Sequence, residues 1–301
     1  PSSSAAADED GPTWEYELSF SQDNRQRPIV TSEVVRRSGE EILRRPEPAD
    51  ESDSDRLCQT HIEQTNVNKE FRDLADFFQT VRYLHLVPQL VREPDRYLGR
   101  LGDPFGSDFL EQVARAPEKT QNARLRRIGE ALKVAVPQLK ELQFYRDEIT
   151  GTPHLRGRYE HWRPKGAWQT EEQFSDGTLR LLGLLWTVLD GNGPLLLEEP
   201  ELSLHPDVVR FLPQMFARMQ RRTGRQVLVS SHSADLLRDE GIGLDEVLLL
   251  KPDTEGTRVE AATQLTQARA LLDGGGPLPD VVLPEVRPPK PQQLALFGND
   301  P

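Results

Sequence analysis

The chain has 301 residues, with 37 Lys or Arg against 49 Asp or Glu, and a formal net charge of −12. No window approaches the roughly 18 uninterrupted apolar residues of a membrane-spanning helix, so we expect no such segment. A single cysteine, Cys58, excludes an internal disulfide and a Cys-rich zinc site. Because the N-terminus also lacks a signal-peptide pattern, we expect a cytoplasmic protein. The acidic balance argues against a protein that coats nucleic acid but permits a local basic patch.

The N-terminal region predicts strands after a low-complexity start that we expect to be disordered. From Trp14 to Phe20, apolar and polar residues alternate with the period of two typical of a half-buried strand. The apolar positions of 29–35 predict its antiparallel partner. Residues 44–55 are dense in Pro, Ser and acids, which predicts a loop.

The middle of the chain predicts helices. Residues 67–91 carry apolar side chains at three- and four-residue steps, which predicts one amphipathic helix ending near Pro88. A second helical stretch is expected from about 108 to 136. Its basic run predicts a solvated helix face in preference to a DNA contact; the run consists of Arg124, Arg126 and Arg127.

Helices and strands alternate in the region from 173 to 251. A helix over 179–189 precedes a buried strand at 195–197, and a helix over 206–222 precedes a second strand at 226–230. A third strand is expected at 246–250. This order predicts an α/β sheet, whose ligands lie at the carboxyl ends of the strands.

Polar side chains follow both buried strands. Glu198 and Glu199 come directly after the first strand, and His232 follows the second. One carboxylate of such a pair suits a hydrated Mg²⁺, and the other suits positioning and deprotonating a water. The histidine could contact a terminal phosphate.

The start of the first helix offers a second polar feature. Ser175, Asp176, Gly177 and Thr178 present backbone N–H groups, hydroxyls and the positive end of the helix dipole to a phosphate. Each feature alone has an ordinary alternative: an N-cap turn, an exposed loop pair of glutamates, or a satisfied core histidine. Their combination in this order favours one shared site.

Three motifs together resemble those of the prokaryotic AAA-type, SMC/RecF-like ABC ATPases. Residues 174–180, FSDGTLR, are similar to the ABC signature; residues 195–206, LLLEEPELSLHP, to Walker B and the D-loop; and residues 230–233, SSHS, to the switch-histidine loop. The resemblance implies an α/β fold with an ABC-ATPase-type (P-loop NTPase-like) parallel sheet core. Glu198 stands where many ABC proteins have Asp.

The resemblance also implies roles for these residues. Glu198 would bind Mg²⁺, Glu199 would be the catalytic base, and His232 would contact the γ-phosphate. Such ATPases dimerise head to tail around two ATP molecules. The residues implied on the dimer's nucleotide-binding face are Ser175, Asp176, Gly177, Thr178 and His205.

One expected motif is missing. The sequence contains no G-x-x-x-x-G-K-[ST] motif and no Gly-Lys dipeptide. We therefore expect a core that lacks its N-terminal strand and P-loop, either through truncation or because a second polypeptide supplies them, and negligible ATP hydrolysis by this chain alone. The expected organisation follows: a disordered start (1–13), hairpin and loop (14–60), helical insertion (61–150), C-terminal half of the ATPase core (151–265) and a Pro-rich flexible tail (266–301).

The tail contains a second resemblance. Gln293, Leu294, Leu296 and Phe297 are similar to the short peptide by which bacterial replication and repair proteins dock on the sliding clamp. The alternative is that these apolar side chains pack on their own domain.

The functional expectation is an ABC-type AAA ATPase that dimerises around ATP, in DNA repair or anti-phage defence, with DNA or a nuclease as a possible partner. The alternative is a non-hydrolysing interaction subunit that depends on a P-loop-bearing partner. A third interpretation, an unrelated α/β hydrolase, would use Glu198 and Glu199 as metal ligands with His205 as the nearest further ligand.

Overall fold

The computed structural model describes residues 13–93, 102–161, 167–254, 256–266 and 268–288. The sliding-clamp-like residues Gln293, Leu294, Leu296 and Phe297 lie outside this part, as do residues 1–12 of the expected disordered start. The chain divides into two compact units, residues 1–81 and 82–301.

The first unit is built on a three-stranded antiparallel sheet of order β1-β2-β3. Strands β1 (Trp14–Gln22) and β2 (Pro28–Arg37) form the predicted hairpin, and β3 (Glu40–Arg45) adds a third strand. The loop expected over 44–55 instead contains the end of β3 and helix α1 (Pro48–Ser52). Helix α2 (Arg72–Thr80) supplies apolar side chains that pack with those of β2.

A buried network of charges lies in this unit. The Arg45 side chain is fully buried and pairs with Glu33 and Asp50, each at 2.9 Å. Glu33 also accepts from the backbone N–H groups of His61 and Ile62, at 2.9 and 3.2 Å. Buried charges are tolerated when they are paired and hydrogen-bonded in this way.

The second unit contains two small antiparallel sheets, one parallel sheet and eight helices within the described residues. These elements are β4 (Arg82–Leu84), α3 (Pro88–Arg92), α4 (Phe109–Arg115), α5 (Glu118–Ala135), β5 (Leu139–Arg146), β6 (Pro153–Tyr159), β7 (Ala167–Thr170), α6 (Asp176–Leu189), β8 (Leu195–Glu198), α7 (Pro206–Val209), α8 (Leu212–Thr223), β9 (Val227–Ser230), β10 (Leu248–Asp253), β11 (Gly256–Ala261), α9 (Ala268–Asp273) and α10 (Leu278–Val282).

The prediction of one helix over 67–91 is wrong. Helix α2 ends at Thr80, and Val81 takes an extended conformation. The Arg82 N–H then donates to the Pro194 carbonyl at 2.9 Å, and β4 pairs in parallel with β8. Pairing with a distant strand therefore overrides the local helical pattern.

The stretch expected to be helical from 108 to 136 is two helices, because Ala116 is extended just before Pro117. The segment expected to be a helical insertion also contains strands β4 and β5. On α5, Arg126 and Arg127 are exposed, as a solvated face requires. Arg124 differs, because it bonds Asp190 at 2.7 Å and lies over the Trp186 ring.

The parallel sheet has the order β4-β8-β9, which confirms the α/β expectation for this region. Helix α6 is buried on most sides against it, with Leu179, Leu182 and Trp186 almost inaccessible to solvent. Arg225, just before β9, holds the C-terminal end of α6 by donating to the carbonyls of Thr187 and Asp190 at 2.9 and 2.8 Å. Burial lowers the pKa of this guanidinium.

The C-terminal region differs from its prediction in two ways. The expected third strand exists as β10, but its hydrogen-bonded partner is the antiparallel β11. The tail expected to be flexible contributes buried Leu278, Val281 and Val282 of α10 to a second apolar cluster. Its proline content hid a helical i, i+3, i+4 pattern. Among the described residues, no helix is both long and apolar enough to cross a membrane.

Candidate functional site

The two glutamates lie where β8 ends beside β9. Glu198 is the register partner of Ser230, the last residue of β9. The Glu199 N–H donates to the Ser230 carbonyl at 2.9 Å. Glu199 has a φ of +41°, which a residue with a Cβ adopts at a cost in conformational energy. The chain thus turns sharply at Glu199 while it stays bonded to the neighbouring strand.

Strand β4 and the residue directly after it bring two further side chains to Glu198. The Tyr83 hydroxyl donates to Glu198 Oε2, and this hydrogen bond raises the pKa of Tyr83. His85 Nδ1 lies 4.0 Å from Glu198 Oε1 and is buried without a hydrogen-bond partner in the described part of the chain. Sequence reasoning missed both residues because it assigned β4 to a helix, and a three-residue strand has no local pattern that would identify it.

A buried carboxylate joins the two loops that follow β8 and β9. Glu201 is 9% exposed, and its Oε1 accepts from the Ser231 hydroxyl. Ser231 Oγ in turn accepts from the Ser233 N–H at 2.9 Å. His232, between the two serines, is exposed. Glu201 Oε2 is buried with no hydrogen-bond partner within the described residues.

The signature-like turn begins α6. Ser175 is its N-cap and accepts from the Thr178 N–H at 3.2 Å, so the ordinary capping role is present. Asp176 pairs with Arg92 at 2.6 Å. Gly177 lies against the backbone of Ser203, so close that a Cβ at Gly177 would overlap the Ser203 carbonyl oxygen. The turn and the loop after β8 are therefore packed together.

Arg180 carries positive charge between these two features. Its Nε is buried without a hydrogen-bond partner in the described residues. Burial lowers the pKa of Arg180, and the negative charges of Asp176 and Glu199 oppose this effect. A guanidinium with an unused donor suits an anion such as phosphate.

His205 has a local role. It is the N-cap of α7, and its Nδ1 accepts from the Asp207 N–H at 3.2 Å. Across the described residues, one group of three His, Cys, Asp or Glu side chains is compact enough to be considered as a cation site: Glu47, Asp50 and His61. Glu198, Glu199 and His205 do not form such a group, so the described residues give the hydrolase interpretation no metal-ligand set.

The donor set at the end of β8 fits a hydrated Mg²⁺. Glu198 is a half-exposed carboxylate, 45% exposed, and carboxylate oxygens are the ligands that Mg²⁺ prefers, usually one or two with waters retained. This carboxylate could hold a water-coordinated cation.

Solved structures offer distant likenesses. A chain from work on ATP-driven dimerization and DNA-stimulated activation of SMC ATPases is 11% identical, with 56% of this chain and 95% of that chain covered and a TM-score of 0.38. An Smc head bound to the C-terminal winged-helix domain of ScpA is 10% identical, with coverages of 82% and 73% and a TM-score of 0.39. The Smc head with an extended coiled coil, bound to the C-terminal domain of ScpA from Pyrococcus furiosus, is 9% identical, with coverages of 86% and 74% and a TM-score of 0.40.

Comparison with curated proteins gives no sequence match. A family model does match, over residues 3–239, which include β8, β9 and the start of α6. Its description is "AAA domain, putative AbiEii toxin, Type IV TA system". The chain therefore belongs to this AAA-domain family.

Proposed function

We propose that this chain is the Walker B, signature and switch-histidine part of an ATP-hydrolysing AAA-type core that dimerises around ATP. The observation that carries the proposal is the junction of β8 and β9. There the Glu199 N–H bonds the Ser230 carbonyl at 2.9 Å, so the two motif-bearing loops leave the sheet side by side. Ligands of open α/β sheets bind at such carboxyl ends.

Glu199 is the proposed general base. The left-handed backbone conformation of Glu199 turns the chain away from β8 directly after Glu198. The two neighbouring carboxylates would therefore serve different roles, one at the metal and one at the water. One Glu199 carboxylate oxygen would accept a proton from the attacking water. His232, exposed after β9, would donate a hydrogen bond to the terminal phosphate.

Glu198 is the proposed metal-binding carboxylate. When bound, Mg²⁺ would neutralise phosphate charge. Tyr83 holds one oxygen of Glu198 in a hydrogen bond and thereby orients the other. A hydrogen bond from a neighbouring side chain commonly fixes the position of a metal-binding carboxylate.

The start of α6 is the proposed face for a nucleotide bound mainly by another subunit. The N-terminus of a 14-residue helix contains Ser175, Asp176, Gly177 and Thr178. In its next turn lies the Arg180 Nε, which has no hydrogen-bond partner among the described residues. His205 follows on the same loop that packs against Gly177, and it would lie at the dimer contact.

The proposal requires a P-loop from residues outside this sequence or from a second protein, because the sequence has no Gly-Lys dipeptide. The same fact favours the alternative of a non-hydrolysing subunit with a P-loop-bearing partner. The two differ in whether any assembly that includes this chain turns over ATP through Glu199.

Phosphate release from Mg·ATP tests the proposal. We expect negligible turnover by the 301-residue chain, and measurable turnover by protein expressed together with the coding sequence adjoining its gene. In that assembly Glu199→Gln should lower kcat about 100- to 10,000-fold, while the exposed Glu172→Gln serves as the matched control. Turnover unaffected by Glu199→Gln would exclude Glu199 as the base, and Glu199-dependent turnover by the chain alone would exclude the need for an external P-loop.

The biological setting that we propose is anti-phage defence in the cytoplasm, because the family description names a putative toxin of a toxin–antitoxin system. DNA repair is the second candidate, with the clamp-like residues around Leu296 and Phe297 as its docking peptide. Two measurements separate the toxin role from the repair role: growth after induced expression, and capture by the sliding clamp. Growth arrest relieved by Glu199→Gln supports the toxin role, whereas capture by the sliding clamp that is lost in the double variant Leu296→Ala, Phe297→Ala supports repair.

A further inference from the structure

The outer face of the sheet β5-β6-β7 carries a stacked column of planar side chains. Tyr145 stacks on His154, with ring centroids 5.1 Å apart and planes inclined by 20°. The Arg156 guanidinium lies 5.2 Å from the Tyr145 centroid and 4.7 Å from that of Trp168. The column therefore runs from an imidazole through a phenol and a guanidinium to an indole.

The strand register explains why these side chains share one face. Tyr145 is paired with His154, and Arg156 lies opposite Gln143 on one side and Thr170 on the other. The intervening β6 residues Leu155 and Gly157 are buried on the opposite face, against the core. The column is thus on the surface that the core leaves uncovered.

The column ends at Trp168, whose side chain is the exposed member. Trp168 is 43% exposed. Exposing the apolar surface of an indole ring to water is unfavourable in free energy, so a ligand that covers the ring would be stabilised. Arg158 is the register partner of Trp168. A flat aromatic group with a neighbouring negative charge would extend the stack and meet this cation.

The charges of the face favour an anion. Arg156 donates to the Gln143 Oε1 at 3.3 and 3.1 Å, an uncharged acceptor that leaves its positive charge uncompensated. Arg158 is partly compensated by Glu141 at 3.1 Å. Glu171 is fully buried and engaged by His154 and the Leu155 N–H. Asp147 and Glu172 are further carboxylates near the column, and their charges act on Tyr145, on the other side of Arg156 from Trp168. Arg156 and Arg158 thus place two guanidinium groups beside Trp168, and in the described residues only that of Arg158 is paired with a carboxylate.

We propose that this face binds single-stranded nucleic acid, with a base stacked on Trp168 and the adjacent phosphates near Arg156 and Arg158. Stacking on an aromatic ring beside cations is the recognition mode of single strands, and it tolerates sequence because every base has a flat face. Duplex DNA presents no unstacked base, so it should bind less tightly. The proposal is independent of ATP hydrolysis.

Fluorescence anisotropy of a labelled oligo(dT) strand, without nucleotide, tests this site. Trp168→Ala should weaken binding about tenfold, since stacking on one aromatic side chain accounts for that order of affinity, and Trp168→Phe should restore most of it. Arg156→Ala should weaken binding and lower its salt dependence. Arg222→Ala, an exposed cation at the end of α8, is the matched control and should bind as the unchanged protein does.

Three results would overturn the proposal. These are no binding of oligo(dT) by the unchanged protein, equal binding by a folded Trp168→Ala variant, and equal competition by duplex DNA of the same length. Competition by free dTMP as strong as that by the strand would assign the face to mononucleotides instead. Circular dichroism of each variant verifies that it is folded, and none of these outcomes depends on turnover at Glu199.

Discussion

The molecule holds carboxylates in two contrasting ways. In the first unit, Asp50 is fully buried and accepts from Arg45 at 2.9 Å and from Arg56 at 3.0 Å. In the second unit, Glu198 is half exposed at a strand end, with Tyr83 as its hydrogen-bond donor. Carboxylates that are completely satisfied by the protein stabilise a fold, whereas those with unused capacity are available to a ligand.

The contrast also explains why proximity alone does not make a metal site. Glu47, Asp50 and His61 place possible ligand atoms within 4.8 Å of one another. Arg56 already donates to Glu47 at 2.8 Å and to Asp50 at 3.0 Å. The guanidinium groups of Arg45 and Arg56 thus already pair with these carboxylates, and their positive charge would repel a bound cation.

Breaking the buried network should produce the largest effect on folding. Arg45→Ala leaves Glu33 and Asp50 buried without their main partner, which should destabilise the first unit by about 3–5 kcal/mol. Hydrogen exchange of the β1–β3 amides measures this loss. Arg44→Ala, which removes the exposed neighbouring arginine, should change exchange little; equal effects of both variants would contradict the special status of the buried pair.

A methyl group at the start of α6 should have the next largest effect. Gly177→Ala would press a Cβ against the Ser203 carbonyl, at an expected cost of about 1–3 kcal/mol. Thermal unfolding of the second unit measures it. The matched control is Gly129→Ala within α5, where a Cβ meets its nearest neighbour at 3.6 Å. That control should be neutral or slightly stabilising, since Ala favours helix over Gly; a neutral Gly177→Ala would show that the two loops are not tightly packed.

Acid should weaken the first unit before the second. Hydrogen bonds from Arg45, despite the opposing effect of burial, hold the pKa of Asp50 well below its usual range. The stabilisation from Asp50 is therefore complete above the ordinary carboxyl pKa of about 4 and is lost as pH falls below it. Amide exchange of β2 and β3 at decreasing pH tests this, and Asp50→Asn should flatten the dependence. An unchanged pH profile in that variant would assign the acid sensitivity to other groups.

The smallest effect on stability is expected at the candidate site. Glu198→Gln keeps an oxygen acceptor for Tyr83 at a half-exposed position, so unfolding should change by no more than about 0.5 kcal/mol. Loss of the carboxylate charge should lower the pKa of Tyr83 towards its usual value, because the hydrogen bond that Tyr83 donates to the charged Glu198 raises it. Ultraviolet titration of tyrosine measures the shift. A large loss of stability would mean that Glu198 is a structural carboxylate like Asp50.

The elements with strong local patterns were predictable from sequence. Helix α6 and strands β8 and β9 were expected close to their observed bounds, because a long apolar helix and two short apolar runs leave few alternatives. The motif residues from Ser175 to His232 were named because they flank these elements and resemble the family's motifs. Their roles remain proposals that the experiments above test.

The missed features depend on contacts between distant segments. Strand β4 has only three residues, too few for a period of two to be recognised, and it is a strand because it pairs with β8. Because β4 was not predicted, Tyr83 and His85 were not included in the candidate site. Glu201 was within a quoted motif, yet its bond to Ser231 joins residues 30 positions apart and has no local signature.

Helix α6 is held by side-chain hydrogen bonds at both of its ends. Its first turn is tied to Arg92 through Asp176, and its last carbonyls are tied to Arg225, which lies just before the strand that ends before His232. Fourteen residues at 1.5 Å each make a strut of about 20 Å. Helix α6 therefore connects the Ser175 turn to the residue two positions before β9, so a displacement at one end of the helix would alter hydrogen bonds at the other.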